Sequence, residues 1–213
     1  MKFIPLGLQC SVPDAIKKAN LREYSYPFDW LWCPSKTTYE IVSILINNGV
    51  EKALEYMTTG YTYYNYLGNE RYISVSNITE NQINNISGLG NTHFTINEEY
   101  INKLRRRLER LVRDIKSKEE ILFIYADAAS PEQNYYLDEI EYGLDATEYL
   151  IKIYDLLYPI NNNIKIIYFC WEERKRDNTC KIDYISFEFK NIWFAVSDII
   201  KDYLEQFVYN NNK

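Results

Sequence analysis

The sequence predicts an α/β domain built on a mostly parallel sheet that lies between helices. Apolar runs that begin at Phe3, Ile121 and Ile164 are typical of strands covered on both faces, as the strands of parallel sheets are. Segments with helical periodicity separate these runs, and parallel strands need such crossover connections. The chain has 213 residues, enough for one domain to bury its own core without disulfides or metals. We therefore predict a single domain over 1–209 and a disordered tail over 210–213.

The helical segments follow from apolar residues that recur every three or four positions. The clearest is 98–116, where Asn97 is placed to cap the first turn and basic residues cover the opposite face. That basic face, over 103–113, is either solvated, as charged helix faces usually are, or it binds a phosphate or an acidic partner. A half-buried strand is predicted at 184–189. The remaining predicted helices cover 14–21, 38–47, 50–57, 145–157 and 194–209.

A polar and aromatic region without helical period covers 58–92. Residues 72–76 alternate enough to form a strand, and the remainder is predicted to be irregular. Long loops inside compact domains are more often binding surfaces or lids than linkers. We therefore predict an irregular insertion or lid here, followed directly by the only histidine of the sequence, His93.

Cys10 lies where the first strand passes into the first helix. Ser11 is predicted to be the N-cap of that helix, with Pro13 and Asp14 in its first turn. Backbone N–H groups and the helix dipole at such a position favour a thiolate, which is the nucleophilic form of cysteine. Cys10 is therefore the candidate nucleophile, although a cysteine that ends a buried strand is also a common small core residue.

Two aspartates are further candidates for the site. Asp29 lies in an aromatic loop, where a carboxylate must be paired or hydrogen-bonded, and it either orients a catalytic group or caps the next turn. Asp127 ends a buried strand, and ligands collect at the carboxyl ends of parallel strands. We predict that Cys10, Asp127 and Trp171 share that edge of the sheet. The aromatic residues predicted to line a substrate cleft are Tyr26, Phe28, Trp30 and Trp32.

Charge and cysteine content exclude several classes of protein. The formal net charge of −6 argues against binding nucleic acid through its phosphate backbone. The four cysteines form no C-x-x-C pair, and one histidine cannot complete a zinc site with them, so we predict reduced thiols, no metal and no cofactor. No signal peptide and no window of about 18 apolar residues is recognisable, so we predict a soluble, cytoplasmic protein without a membrane segment.

Several short motifs occur in an order that resembles a known family. They are Leu6-Gly7-Leu8-Gln9-Cys10, Tyr26-Pro27-Phe28-Asp29-Trp30, His93-Phe94 and Arg106-Arg107-Leu108-Glu109-Arg110-Leu111. This order resembles the family described as "putative papain-like cysteine peptidase", whose members occur in bacteria and in large DNA viruses. The resemblance covers about 3–125 and implies a Cys-His site formed by Cys10 and His93, with Asp29 as an orienting acid.

The combined interpretation is a cysteine-dependent hydrolase or acyl transferase that acts on an amide, ester or thioester. In such chemistry His93 accepts the thiol proton and later protonates the leaving group, while Gln9 and backbone N–H groups hold the oxyanion. The predicted substrates are small molecules, glycans or peptides, and Asp127 is predicted to help bind them. The alternative is a non-catalytic glycan-related or protein-interaction domain.

The position of Cys10 also refines the predicted fold. Because the candidate nucleophile directly follows the first strand, we predict a three-layer fold that is Rossmann-like or SGNH-like rather than a papain fold. If the gene is viral, the expected location is the cytoplasm of the host.

Overall fold

The protein is described from a computed structural model. The described residues are 1–8, 10–31, 33–58, 61–66, 69–76, 87–91, 97–127, 146–188 and 193–211. Gln9, Trp32 and His93, which the sequence analysis singles out, lie outside this description.

Two sheets occur within the described residues. Their strands are β1 (Lys2–Gly7), β2 (Tyr61–Tyr66), β3 (Asn69–Ser76), β4 (Ser87–Asn91), β5 (Ile121–Ala126), β6 (Ile164–Trp171) and β7 (Ile182–Phe187). The larger sheet has the order β1-β5-β6-β7, and all of its neighbouring pairs are parallel. Its inner strands β5 and β6 are almost entirely buried, as their apolar sequences predict. The predicted parallel α/β architecture is therefore confirmed.

Helices cover the parallel sheet. They are α1 (Ser11–Lys18), α2 (Ser35–Asn48), α3 (Val50–Thr58), α4 (Glu98–Lys116), α5 (Thr147–Leu157) and α6 (Trp193–Asn211), with a short 3₁₀ turn at Glu172–Arg174. Helix α1 packs against α6, while α2 packs against α3 and α5. Helix α4 begins as predicted, because the Asn97 side chain accepts a hydrogen bond of 2.9 Å from the backbone N–H of Tyr100. No helix in the described part of the chain is both long and apolar enough to cross a bilayer.

Two predicted helix ends are wrong. The first helix begins earlier than expected, at Ser11, so that Cys10 and not Ser11 occupies the N-cap position. The last helix ends at Asn211, two residues later than predicted, while residues 212–213 of the predicted disordered tail lie outside the described residues. Both differences lie at helix termini, where local sequence signals are weakest.

The region predicted to be irregular contains a second sheet. The strand predicted at 72–76 is confirmed as part of β3, which pairs antiparallel with β2 on one side and with β4 on the other. The prediction that the rest is irregular is therefore wrong for β2 and β4. Strand β4 has the sequence SGLGN, and glycine and asparagine are depleted in strands, which explains why its sequence did not predict it. The lid function stays a prediction.

Candidate functional site

The carboxyl ends of β1, β5 and β6 form one edge of the parallel sheet, since these strands are neighbours. Beyond β1, the Leu8 N–H donates to the carbonyl of Ala126 at 3.4 Å, and beyond β5 the Asp127 N–H donates to the carbonyl of Phe169 at 2.9 Å. Cys10 and Asp127 therefore follow adjacent strands at the same edge, as the sequence predicts.

A second segment holds the turn that leads to Cys10. Gly7 has φ +118°, and a Cβ there would lie 2.3 Å from the carbonyl oxygen of Cys33. Only glycine allows this close approach. The Cys33 N–H donates to the Leu8 carbonyl at 3.0 Å, and the Thr38 hydroxyl donates to the Leu6 carbonyl at 2.7 Å. The chain from β1 to α1 is thus fixed against the start of α2.

Cys10 is partly buried at the N-cap of α1. Burial, and then the negative charge of Asp14, raise the pKa of the Cys10 thiol to about 11, while its own backbone N–H opposes the rise. The stabilisation of a thiolate expected from the helix start is therefore too small to lower the pKa of Cys10 in this environment. The helix dipole contributes about 0.3 to 1 kcal/mol at an exposed terminus, and desolvation of the charged sulfur outweighs it here. The thiol is protonated at neutral pH.

Asp14 connects the candidate nucleophile to the last helix. Its carboxylate accepts a hydrogen bond of 2.6 Å from the Ser197 hydroxyl of α6 and pairs with Lys18 at 3.0 Å. Beside it, the Ser11 hydroxyl is buried and has no hydrogen-bond partner among the described residues. An unsatisfied buried hydroxyl is uncommon in proteins, and strain, a catalytic role or a bound water or ion can account for one.

The four cysteines differ in accessibility. Cys33 and Cys170 have no exposed surface, Cys180 is exposed, and Cys10 is intermediate. None of the four forms a disulfide bond. Two of them, Cys10 and Cys180, are therefore open to a reagent in solution, and Cys10 is the one that lies at the sheet edge.

Asp29 is buried beside arginines. The Arg22 guanidinium donates to the Asp29 carboxylate and also to the Ser25 hydroxyl, the latter at 2.7 Å. Burial raises the pKa of Asp29 to about 6, and the charges of Arg22, Arg107 and Arg110 oppose that rise. The acid whose charge acts on Cys10 is Asp14 and not Asp29. Because His93 is not described, the orienting role of Asp29 stays a prediction.

The aromatic loop contributes mainly to the core. Tyr26 is 3 % exposed and Phe28 is 0 % exposed, and the Tyr26 hydroxyl donates to Asp114 at 2.8 Å. Their burial corrects the prediction that they line a substrate cleft, since a side chain with almost no exposed surface offers none to a ligand. Trp30 is partly exposed, has φ +63° and lies 5.7 Å from the Arg22 guanidinium.

Asp127 is bound by its own chain. Its carboxylate accepts hydrogen bonds from the Tyr168 hydroxyl at 2.8 Å, from Arg174 at 3.0 Å and from the Trp171 N–H at 3.1 Å. The Arg174 guanidinium stacks over the Trp171 ring at 4.1 Å. We call Asp127, Tyr168, Trp171 and Arg174 the edge network. It fixes the end of β6 to the end of β5, and the substrate-binding role of Asp127 stays a prediction.

Sequence reasoning missed two members of the edge network, Tyr168 and Arg174. Tyr168 belongs to an apolar run, which predicts a core residue. Burial together with Asp127 raises its pKa well above the usual value. Arg174 lies in a charged stretch without period. Only the pairing of β5 with β6 shows that both reach the same carboxylate. Among the residues described, no group of three or more His, Cys, Asp and Glu side chains is placed to hold a metal ion.

The sequence model of the family described as "Putative papain-like cysteine peptidase" matches residues 1–153. The chain belongs to this family. Membership in the papain-like cysteine peptidase family confirms the resemblance drawn from the motifs. Searches of curated proteins and of solved structures each found no match.

The family match covers one part of the site and not another. It includes β1, Cys10, Asp29 and Asp127, whereas Tyr168 and Arg174 of the edge network lie beyond it. The match ends at residue 153, inside α5, where Ile153 is completely buried. The end of the match is therefore not a boundary of the folded domain.

Proposed function

We propose that this protein is a cysteine-dependent hydrolase or acyl transferase whose nucleophile is Cys10 and whose substrate carries an amide, ester or thioester. The observation that supports this most is the position of Cys10. It is a partly accessible thiol at the start of a helix and at the carboxyl edge of a parallel sheet, within the part of the chain that the family match covers. Ligands of such sheets bind at that edge.

The raised pKa of Cys10 determines how the thiol reacts. A protonated thiol, like a serine hydroxyl, needs a base that takes its proton while the sulfur bonds to the carbonyl carbon. We assign this role to His93, the single histidine of the sequence. The imidazolium then gives the proton to the leaving group, and water or a second acceptor attacks the acyl-enzyme to release the product.

The start of α1 supplies donors for the oxyanion that forms in this step. The first backbone N–H groups of a helix have no partner inside the helix. The Asp14 N–H already bonds to the Cys10 carbonyl at 3.1 Å, and Pro13 has no N–H. The backbone amides of Ser11 and Val12 are therefore the candidates within α1, and Gln9, which precedes the helix, is the third candidate donor.

Hydrolysis of p-nitrophenyl acetate and of a thioester tests this function. The readout is the released chromophore or the released free thiol. We expect turnover by the native protein and by Cys180→Ser, and none by Cys10→Ala. His93→Gln should lower the rate by about 100-fold or more, which is the usual contribution of a general base. Equal turnover by Cys10→Ala, or no effect of His93→Gln, would contradict the proposal.

A serine variant tests the mode of activation. In a general-base mechanism Cys10→Ser keeps a measurable rate, because the base also activates a hydroxyl, whereas a preformed thiolate-imidazolium pair has no counterpart with serine. We expect residual turnover by Cys10→Ser that His93→Gln abolishes.

Two observations favour a second candidate function. The pKa of Cys10 is raised, and the carboxylates of Asp29 and Asp127 are hydrogen-bonded within the protein. In this alternative the chain keeps the fold of its family and acts as a non-catalytic glycan-related or protein-interaction domain. Acyl transfer by the native protein would then equal that of Cys10→Ala for every ester and thioester tried.

A further inference from the structure

A cationic cleft lies between α4 and the segment that follows α1. Its volume is about 420 Å³, which falls in the range of small-molecule sites. Among its described lining residues, five are cationic and one, Glu23, is acidic. The cationic residues are Arg22, Lys103, Arg106, Arg107 and Arg110.

The periodicity of α4 gathers four of these charges. Positions 106 and 107 follow 103 by three and four residues and precede 110 by four and three, so all four share one helix face. Leu104, Leu108 and Leu111 are buried and fix the orientation of that helix. The cleft is thus built on a rigid wall, and the long basic side chains extend from it.

Contacts across the cleft hold the second wall in place. Arg110 donates to the Ser25 carbonyl, and its guanidinium lies 4.7 Å from the centre of the Tyr24 ring. Arg22 from the opposite wall donates to Ser25 and to the buried Asp29. Two of the guanidinium groups are therefore oriented by the protein before any ligand arrives, which lowers the entropic cost of binding.

Two basic residues of α4 that lie outside the cleft have acidic partners. Arg105 pairs with Glu51 at 2.8 Å, and Arg113 pairs with Asp114 at 2.9 Å. Within the cleft the charges are not balanced. Among the described residues, Glu23, the buried Asp29 and Glu99, the partner of Lys103, lie near the five cations, so positive charge is in excess there in a chain of net charge −6.

Repulsion among the cations also indicates that positive charge is in excess in the cleft. Burial lowers the pKa of Arg107, and Arg22 and Arg110 lower it further, while Asp29 opposes them. An anion placed between these guanidinium groups would remove that repulsion.

We propose that this cleft binds the phosphate group of a small molecule. Guanidinium groups on two walls match a phosphate, which presents three or more oxygens in different directions, better than a carboxylate, which presents two in one plane. The proposal concerns a site other than Cys10 and does not depend on the proposed function.

Calorimetric titration with phenyl phosphate and with inorganic phosphate, at constant ionic strength, tests this site. Arg106→Gln is the informative variant, because Arg106 lines the cleft and is exposed, so its loss leaves the core intact. Arg105→Gln is the matched control, since it removes the same charge from the adjacent position outside the cleft.

We expect one saturable site for each ligand, with affinity about 3- to 10-fold lower in Arg106→Gln, the loss of one partly exposed charge-assisted contact. In Arg105→Gln the affinity should change less than about twofold. The charge reversal Lys103→Glu should abolish binding, while the melting temperature of each variant reports that the fold is kept.

Three results would overturn the proposal. The first is the absence of saturable binding of both phosphates. The second is an equal loss of affinity in Arg105→Gln and Arg106→Gln, which would indicate diffuse attraction to a basic helix. The third is tighter binding of a glutamate-rich peptide than of phenyl phosphate, which would assign the cleft to an acidic protein surface.

Discussion

At the residue scale, Cys10 combines reachability with low acidity. Its sulfur is partly buried, and the nearby Asp14 carboxylate disfavours a second negative charge. A thiol of this kind reacts slowly with simple electrophiles until a base assists it. Its intrinsic reactivity is therefore a direct measure of the electrostatics at the start of α1.

Alkylation of the native protein by iodoacetamide, followed by peptide mass spectrometry, checks this property. At pH 7.5 Cys10 should react about tenfold more slowly than free cysteine, because a smaller thiolate fraction is only partly offset by higher nucleophilicity. Its rate should keep rising up to pH of about 11, the pKa of the thiol. The exposed Cys180 provides an internal control. Faster labelling of Cys10 than of free cysteine would contradict the general-base assignment.

Asp29 gives the fold a pH dependence of defined sign. Its pKa is raised from 3.8 to about 6, so as pH rises the unfolded chain releases this proton before the folded protein does. The contribution of protonated Asp29 to the free energy of unfolding is fully present below about pH 4. It is lost by about pH 6.5, a decrease of about 3 kcal/mol. Urea unfolding at several pH values should show this decrease in the native protein relative to Asp29→Asn. A difference between the two proteins that stays constant with pH would contradict it.

At the element scale, the turn after β1 depends on the absence of a side chain. Gly7→Ala should lower the free energy of unfolding by about 3 kcal/mol or more, since φ is +118° and the new Cβ would lie 2.3 Å from the Cys33 carbonyl oxygen. Gly49→Ala is the control, with φ +90° and nothing within 4 Å, and should cost about 1 kcal/mol. Chemical denaturation distinguishes the two variants. Similar losses in the free energy of unfolding would show that the close approach to Cys33 does not affect stability.

The edge network joins the ends of β5 and β6. Asp127→Asn should destabilise the protein by about 3 kcal/mol, because Arg174, whose side chain is 10 % exposed, would lose its ion pair with Asp127. Asp155→Asn removes an exposed pair with Lys181 and should change stability by less than about 0.5 kcal/mol. Urea denaturation curves of the two variants provide the test. Equal effects would mean that Arg174 is solvated when Asp127 is neutral.

How far the elements could be predicted depends on how local their causes are. Strand β6 and helix α4 follow from their own sequences, because burial on both faces and a 3.6-residue period leave clear patterns. Strand β4 does not, since only pairing with β3 makes its glycines extended. The sequence alone predicts Tyr26 as a cleft residue, because its partner Asp114 is 88 positions away in sequence.

At the scale of the whole molecule, the parallel sheet was predictable and the composition of the site was only partly so. The parallel edge that carries Cys10 and Asp127 follows from the alternation of strands and helices. The thiol pKa does not, because it depends on burial and on the distance to one carboxylate, which only the folded chain defines. The cationic cleft needed the structure as well, since Arg22 and Arg107 meet only when α4 is docked.

The strand order also predicts which truncated chain can no longer fold. Strand β6 lies between β5 and β7, so a chain of residues 1–157 would expose the buried edge of β5. Circular dichroism during urea titration should show no cooperative transition for 1–157. Removal of 210–213 alone is the control and should preserve the transition, because Asn210 and Asn211 are exposed. A cooperative transition in 1–157 would show that the family-matched part folds alone.

The hydrogen bond from Ser197 to Asp14 spans 183 positions of sequence and links the last helix to the carboxylate that opposes ionisation of Cys10. The far end of the polypeptide thereby takes part in setting how readily the sulfur at its beginning gives up a proton. Two proteins that were identical through residue 153 and differed afterwards would, for this reason, be expected to carry thiols of unequal reactivity.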